Sequence, residues 1–344
     1  MSPIHSTLLL AVLAAGVVAA PSQLKTRCTA STKWPGWDGI KHAFIFGDSY
    51  TTTGFNHTLA QPSPANPLGN PTYPGWTSSN GPNWVDYLTV KYNASLLQTY
   101  NLAVGGATVD SALVKPYLPT VLSVKQQVLD VFMPTYASPS SGLPQWTGSD
   151  TLFAFWIGIN DVGNSYWQDD TAELNRKIFA VYADVVRTLY ADAGARNFLF
   201  LNVLPVERSP LTLGQGAQAV EREGAGIAAF NALTAELASN LTKTDEEEGE
   251  GEEEVNVWAY DVHALFTEVL DRPAAYEATA NYANTTAFCA AYQNGTPNLD
   301  TLDPACGIPV NEYFWLNSLH PTYPMHDVVA EQVVATLEKG PNVC

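Results

Sequence analysis

Five short apolar segments alternate with amphipathic stretches along this chain, and this alternation constrains its fold more than any other feature. The five segments are apolar along much of their length, as expected for parallel strands that are covered on both faces. They span residues 42–46, 96–104, 151–157, 197–203 and 255–260. The helical candidates span residues 83–92, 121–132, 172–193, 224–241, 262–271 and 326–337. Because right-handed crossovers place such helices on both sides of a sheet, we predict an α/β fold: a three-layer α/β/α sandwich with a five-stranded parallel, flavodoxin-like sheet.

The N-terminus carries the pattern of a secretory signal peptide. Residues 7–20 are apolar or small, and they end in Val17-Val18-Ala19-Ala20, as expected before a cleavage site. This run is too short for a comfortable membrane span, so a membrane anchor is the weaker interpretation, and no later segment is apolar enough to cross a bilayer. We therefore predict a signal peptide over residues 1–20, a secreted mature chain and a single domain over residues 21–344.

The cysteines and glycosylation sequons fit a secreted protein. Four cysteines follow the predicted cleavage site, and an even number in an oxidising compartment indicates two disulfides. They can pair in three ways, and loop length favours Cys289 with Cys306 and Cys28 with Cys344. Their spacing does not resemble a zinc site, and we expect no metal or cofactor. The Asn-x-Ser/Thr sequons, which must lie at the surface where they are glycosylated, are at Asn56, Asn93, Asn240, Asn284 and Asn294.

The formal net charge of −18 argues against nucleic acid and anionic lipid surfaces as partners, because such a field repels phosphates. Eight of the acidic residues lie within residues 245–254, a low-complexity run with two glycines. We predict a solvated loop there, between a helix and the last strand. A calcium or partner site is the alternative, although the run lacks the ligand spacing of an EF-hand. We expect a monomer.

Polar residues follow several of the predicted strands at the points where the strands end. The first strand runs into FIFGDSYTTTGF with Ser49, the second into NLAVGGAT, the third into GIND with Asn160, and WLNSLHPTYP with His320 precedes the last helix. Each motif alone is a common turn or helix cap. The carboxyl ends of parallel strands meet at one edge of the sheet, however, and together the motifs supply what acyl transfer needs. Ser49 is the candidate nucleophile, His320 the base, and Ser49 N–H, a glycine N–H and the Asn160 amide are the candidate oxyanion donors.

In these motifs and their order the chain resembles the SGNH or GDSL hydrolase family, named for its Ser, Gly, Asn and His. Matching the glycine by its distance from Asn101 points to Gly106 as the oxyanion donor, with Gly105 as the alternative. GDSYTTTGF followed by TSSNGPNWVDYL is most similar to the fungal secreted acetylesterases of carbohydrate esterase family 16. The resemblance implies a serine esterase that removes acetyl groups from sugars, mainly acetylated xylo-oligosaccharides. A lipase or phospholipase on the same scaffold and a non-catalytic glycan-binding protein are the alternatives.

One position departs from the family pattern. The family carries Asp three residues before its histidine, and this chain has Asn317 there. Three interpretations are open. Asn317 or a backbone carbonyl orients His320 in a Ser–His dyad, an acidic residue from another loop replaces the missing carboxylate, or the protein is weakly active or inactive. The acidic residues nearest in sequence are Asp300, Asp303 and Glu312.

The long polar loop over residues 56–82 follows the first strand and should therefore lie over the reactive edge of the sheet. It is rich in Pro, Gly, Asn and Ser, and it carries Trp76. An exposed tryptophan there is a candidate for stacking on a sugar ring, whereas Trp156, inside the third strand, is expected in the core.

Overall fold

The computed structural model describes residues 34–137, 145–247 and 254–344. Five parallel strands form one sheet in the order β2-β1-β3-β4-β5, which is the predicted flavodoxin-like arrangement. The strands are β1 (His42–Gly47), β2 (Gln98–Asn101), β3 (Thr151–Trp156), β4 (Asn197–Leu201) and β5 (Asn256–Tyr260). Every residue of β1, β3 and β4 is buried, so helices cover both faces of the sheet centre, as the apolar character of these segments predicted.

Aromatic side chains in register tie the central strands together. Phe46, Phe155 and Phe200 lie opposite one another on β1, β3 and β4. Their rings stack with centroid distances of 4.9 Å from Phe46 to Phe155 and 5.6 Å from Phe155 to Phe200. Cross-strand aromatic pairs of this kind stabilise a sheet beyond the area that they bury. These pairs stabilise the strands whose carboxyl ends carry the candidate site.

The helices lie close to where the amphipathic stretches predicted them, with three short additions, α3, α4 and α6. The helices are α1 (Trp84–Val90), α2 (Val124–Gln126), a π-helix (Gln127–Phe132), α3 (Met133–Tyr136), α4 (Ile159–Gly163), α5 (Thr171–Ala191), α6 (Pro210–Gln215), α7 (Ala217–Glu247), α8 (Val262–Asp271) and α9 (Tyr323–Leu337). Short 3₁₀ turns lie at Trp37–Gly39, Gly148–Asp150, Val206–Arg208, Pro273–Ala275, Glu277–Thr279 and Val310–Glu312.

Helix α7 is longer at both ends than the sequence suggests. Two glycines near its start lower the predicted helicity, but Gly226 is a packing position: a Cβ built there would lie 3.1 Å from Val162 of α4. At the other end α7 reaches Glu247, so the first residues of the predicted acidic loop are helical. Glu is a good helix former, and no glycine interrupts the run before Gly249. Residues 248–253 of the acidic run lie outside the described residues.

Strand β2 is shorter than predicted because the chain turns after Asn101. The Asn101 side chain donates to Thr51 O at 2.7 Å and accepts from Ala103 N–H at 3.2 Å. This local bond replaces regular strand geometry at residue 103. It also ties the end of β2 to the segment that follows β1, and this brings two of the candidate motifs together.

Cys289 and Cys306 form a disulfide, as predicted. Cys344 is also disulfide-bonded, whereas its predicted partner Cys28 and the predicted signal peptide lie outside the described residues. Four of the sequon asparagines are exposed, and Asn284 is half-buried. Across the three described stretches, no helix has the length and apolar character that a membrane span requires.

Candidate active site

The candidate site lies at the carboxyl edge of the sheet, where β1 ends between β2 and β3. The nucleophile turn is organised by Asp48. Its carboxylate accepts from Tyr50 N–H at 3.0 Å, and its carbonyl accepts from Thr51 and Thr52 N–H at 3.1 and 2.9 Å. Burial raises the pKa of Asp48 to about 8. Asp48 therefore holds the turn from beneath, and Ser49 stands half-exposed above it.

The structure brings Ser49, His320 and Asn317 into one hydrogen-bonded row. Ser49 Oγ lies 2.8 Å from His320 Nε2, and His320 Nδ1 lies 3.1 Å from Asn317 Oδ1. These residues come from opposite ends of the chain. Their juxtaposition is the arrangement that an activated serine requires: a nucleophile within reach of a base, and a third group that orients the base.

The tautomer of His320 follows from the backbone around Asn317. Asn317 Oδ1 accepts from Leu319 N–H at 3.0 Å and from His320 N–H at 2.9 Å. Because two backbone donors point at this atom, it is the amide oxygen and not the nitrogen. His320 Nδ1 must then carry the proton that it shares with Asn317 Oδ1. The lone pair is left on Nε2, which faces Ser49, so an uncharged asparagine selects the tautomer that a general base needs.

Of the interpretations of Asn317, the geometry favours the Ser–His dyad with Asn317 as the orienting group. Among the described residues, no carboxylate hydrogen-bonds to the His320 ring. Asp303 instead accepts from Ala305 N–H at 2.8 Å, and Asp300 and Glu312 make no bond to the histidine. Burial without a neighbouring negative charge lowers the pKa of His320 to about 4, so the imidazole is neutral over the whole mildly acidic range.

Tyr50 is a further support of the histidine that sequence analysis did not single out. Its ring centroid lies 5.1 Å from that of His320, and its hydroxyl donates to Leu319 O. Tyr50 is buried, and Trp156 packs behind it at 5.5 Å. The residue next to the nucleophile therefore fixes the loop that carries the base. Its position immediately after Gly-Asp-Ser was the only signal in the sequence.

Backbone donors around Ser49 lack a partner among the described residues. The N–H groups of Ser49, Gly105 and Gly106 make no hydrogen bond to any residue in the described part of the chain. A Cβ built on Gly105 would lie 3.8 Å from Ser49 Cβ, so the glycine turn reaches the nucleophile. Free N–H groups beside a nucleophile are the elements of an oxyanion hole, and the geometry leaves both glycines as candidates for the second donor.

Asn160 lies in the first turn of α4. Its Nδ2 donates one hydrogen to Ala107 O at 2.9 Å, which leaves the second hydrogen free. The neighbouring Asp161 is buried, and its carboxylate accepts from Val109 N–H at 3.0 Å. Asn160 and Asp161 thus clamp the glycine turn after β2 to the helix after β3.

Gln127, at the start of the π-helix, holds the strand that delivers Ser49. This fully buried amide accepts from Gly47 N–H at 3.0 Å and donates to Gly47 O at 2.8 Å. It also donates to Leu122 O at 3.1 Å. Single turns of π-helix often mark functional positions, and here the turn directs an amide at the backbone two residues before the nucleophile.

We expect Gln127→Met to lower the free energy of unfolding by about 2–3 kcal/mol, because the buried Gly47 N–H loses its acceptor while the side-chain volume is kept. Urea unfolding measures the difference. The control is Asp130→Asn, an exposed change on the same π-helix, which should stay within about 0.5 kcal/mol of wild type. Equal stability of Gln127→Met and wild type would contradict the clamp.

Trp76 lies on the loop after the nucleophile and is 75% exposed, as a substrate-stacking residue should be. A Cβ built on Gly54 would lie 2.9 Å from the Trp76 ring, and the backbone N–H of Trp76 donates to Thr53 O at 2.9 Å. Trp84, Trp156 and Trp315 are buried.

No group of three or more His, Cys, Asp or Glu suited to a metal ion occurs in residues 34–137, 145–247 and 254–344.

Comparison with known proteins agrees with this geometry. The family model described as GDSL-like Lipase/Acylhydrolase matches residues 44–333, a span that includes Ser49, Asn160 and His320. The chain belongs to this family. It is thus a carboxylic ester hydrolase, and its GDSL motif is the Gly47-Asp48-Ser49 turn described above, with Tyr50 in the fourth position.

Two similar proteins are fungal acetylesterases. The acetylesterase of Thermothelomyces thermophilus is 36% identical over 336 residues, which is 97% of each chain. The acetylesterase of Hypocrea jecorina is 24% identical over 320 residues, covering 86% of this chain and 88% of that protein. Among solved structures, an acetylxylan esterase from Geobacillus stearothermophilus is 14% identical with a TM-score of 0.45, covering 86% of this GDSL hydrolase and 94% of that chain.

Proposed function

We propose that this protein is a secreted serine esterase that removes acetyl groups from carbohydrates such as acetylated xylo-oligosaccharides. The observation that carries the proposal is the row of Ser49 Oγ, His320 Nε2 and Asn317 Oδ1, with free backbone N–H groups beside it. The acetyl specificity is supported by the two fungal acetylesterases, which match most of this chain. Secretion is supported by the signal-peptide pattern of residues 1–20.

The reaction divides into two steps at Ser49. Ser49 Oγ attacks the acetyl carbonyl while His320 Nε2 takes its proton. The oxyanion that forms accepts hydrogen bonds from Ser49 N–H, from the free hydrogen of Asn160 and from a glycine N–H, for which the family motif favours Gly106 over Gly105. Collapse of this intermediate breaks the bond to the sugar oxygen, and His320 returns the proton to that oxygen. Water then attacks the acetyl-serine with the same proton transfers, and acetate and free Ser49 result.

A lipase function is the second candidate, and one feature of the surface favours it. Leu211 and Leu213 on α6 are exposed, and Leu211 N–H donates to Ser318 O at 2.8 Å. This places an apolar helix beside the histidine loop, where a long acyl chain could lie. The polar loop over residues 56–82 on the nucleophile side favours the short acyl group instead.

Chain length of the acyl group separates the two candidates. We expect kcat/KM for 4-nitrophenyl acetate to exceed that for the 4-nitrophenyl ester of a sixteen-carbon acid by about 10²-fold or more, because a polar, solvated site gains little from a long chain. Acetate release from acetylated xylo-oligosaccharides, measured in parallel, tests the carbohydrate part of the proposal. Faster turnover of the long-chain ester would overturn the acetylesterase assignment, whereas turnover of 4-nitrophenyl acetate without acetate release from the sugar would overturn its carbohydrate part.

A further inference from the structure

An exposed tyrosine lies against the glycine turn of the site. Tyr117 is 71% exposed. Its Cε1 and Cδ1 nevertheless lie 2.3 and 2.5 Å from where a Cβ on Gly106 would stand, so the ring occupies the space above this glycine. Gly106 has a φ of 82°, which also favours glycine. Two constraints therefore favour glycine at position 106: the positive φ, and the Tyr117 ring, which leaves no space for a Cβ.

The segment that carries Tyr117 is held in place although the ring is open to solvent. Thr108 Oγ1 donates to Val114 O at 2.9 Å, and Asn164 Nδ2 donates to Lys115 O at 3.5 Å. Prolines at 116 and 119 fix the backbone on either side of the ring. An aromatic side chain presented from a restrained backbone loses little conformational entropy when a ligand covers it.

The position of the ring relative to Ser49 suggests what covers it. Gly105 approaches Ser49 Cβ, and Gly106, the next residue, lies under the tyrosine. When the acetyl carbonyl of an ester is bound between Ser49 and these N–H groups, the alcohol part of that ester lies on the surface around the turn. The rest of the Tyr117 ring faces solvent there. Aromatic faces are suited to the apolar C–H face of a sugar ring, because stacking buries the apolar surface of both rings while the sugar hydroxyl groups remain hydrated.

We propose that Tyr117 is the platform on which the acetylated sugar stacks, so that it determines the preference of the enzyme for carbohydrate esters over simple ones. The inference rests on the proposed acetylesterase function and adds the residue that recognises the sugar. Trp76 is also exposed and close to the nucleophile in sequence, but its ring lies against Gly54 and not against the glycine turn. The sugar that carries the scissile ester is therefore assigned to Tyr117.

The test compares a sugar ester with a small ester that has no ring. Kinetics are measured for wild type, Tyr117→Ala and Tyr117→Phe on acetylated xylobiose and on ethyl acetate. We expect Tyr117→Ala to raise KM for acetylated xylobiose about five- to tenfold more than it raises KM for ethyl acetate, with little effect on kcat, because a stacking contact is lost. Tyr117→Phe keeps the ring and should keep the sugar preference. Leu118→Ala, an exposed change on the same loop, is the matched control and should behave as wild type.

Two results would overturn the assignment. One is an unchanged KM of Tyr117→Ala for the sugar ester. The other is an equal loss on both esters, which would show that the ring only supports the turn at Gly106. Thermal unfolding of each variant shows whether the loop is intact. The wild-type measurement reports on the proposed function separately. If wild type releases no acetate from acetylated xylobiose, both proposals fail. If it does and Tyr117→Ala does not change the release, only the assignment of Tyr117 fails.

Discussion

Replacement of Ser49 by alanine is expected to lower kcat/KM for acetyl ester hydrolysis by about 10⁴-fold or more. The hydroxyl lies 2.8 Å from His320 Nε2, and without it the acetyl-serine cannot form and His320 has no serine proton to accept. What remains is the contribution of the oxyanion donors to attack by water. Initial rates with 4-nitrophenyl acetate, at enzyme concentrations high enough to detect slow turnover, measure the loss.

His320→Ala should cause a loss of the same order, and the double variant should lose little more than either single one. Groups that act as one unit are not additive, because removing either member abolishes the same step. Ser49 is half-exposed, so the alanine variant should unfold at the wild-type temperature, and circular dichroism provides this control. Retained activity in a folded Ser49→Ala protein would remove Ser49 as the nucleophile, and additive losses would mean that the two residues act separately.

The strand ends were predictable because they follow from local patterns. A buried strand that runs into Gly-Asp-Ser, and another that runs into Gly-Ile-Asn-Asp, place Ser49 and Asn160 at the same edge of any parallel sheet. The sheet order then makes them neighbours, since β1 and β3 are adjacent. His320 was placed by its motif before the last helix, and the structure brings it to Ser49 across 271 positions of sequence.

The supporting residues were not predictable, because their roles depend on long-range contacts with backbone atoms. Gln127 bonds to Gly47 across 80 positions, and nothing in its local sequence distinguishes it from any other helical glutamine. From the sequence Tyr50 reads as a core aromatic residue, and only the structure shows that its hydroxyl donates to Leu319 O. The role of Asn317 was open for the same reason: the sequence shows the amide, but only the fold shows which end of it faces the imidazole.

The pH dependence of the enzyme should reflect the missing charge at Asn317. A neutral His320 is needed to accept the serine proton, and burial holds its pKa at about 4. The acid limb of kcat/KM, which reports the free enzyme, is therefore expected near pH 4, and the rate should be nearly constant from pH 5 to neutrality. A carboxylate in place of the amide would stabilise the imidazolium form and raise this pKa.

Asn317→Asp is expected to move the acid limb upward by about two pH units, because a negative charge within hydrogen-bond distance of an imidazole shifts its pKa by about 1–3 units. At pH 5 a base with a pKa near 6 is mostly protonated, so the neutral fraction of the histidine that can act as the base should fall about tenfold. At pH 8 the imidazole is neutral in both proteins, and the carboxylate stabilises the imidazolium that forms in the transition state. The rate there should rise, by about 10²-fold at most. Because this gain applies to the neutral form of the histidine at both pH values, the ratio of the rates at pH 8 and pH 5 increases only by the protonation factor, about tenfold, as pH–rate profiles with 4-nitrophenyl acetate would measure.

The gain at high pH should stay well below the 10⁴-fold or so that separates Asp from Asn in serine-protease triads, where the amide leaves the histidine in the wrong tautomer. Here Leu319 and His320 N–H already hold the Asn317 oxygen toward the ring, so the variant adds charge without correcting a tautomer. Asn317→Ala is the matched control: it removes the acceptor and should lower the rate at every pH without raising the acid limb. An Asp variant with an unmoved acid limb would mean that His320 is not the titrating base, and a gain near 10⁴-fold would mean that Asn317 presents its nitrogen.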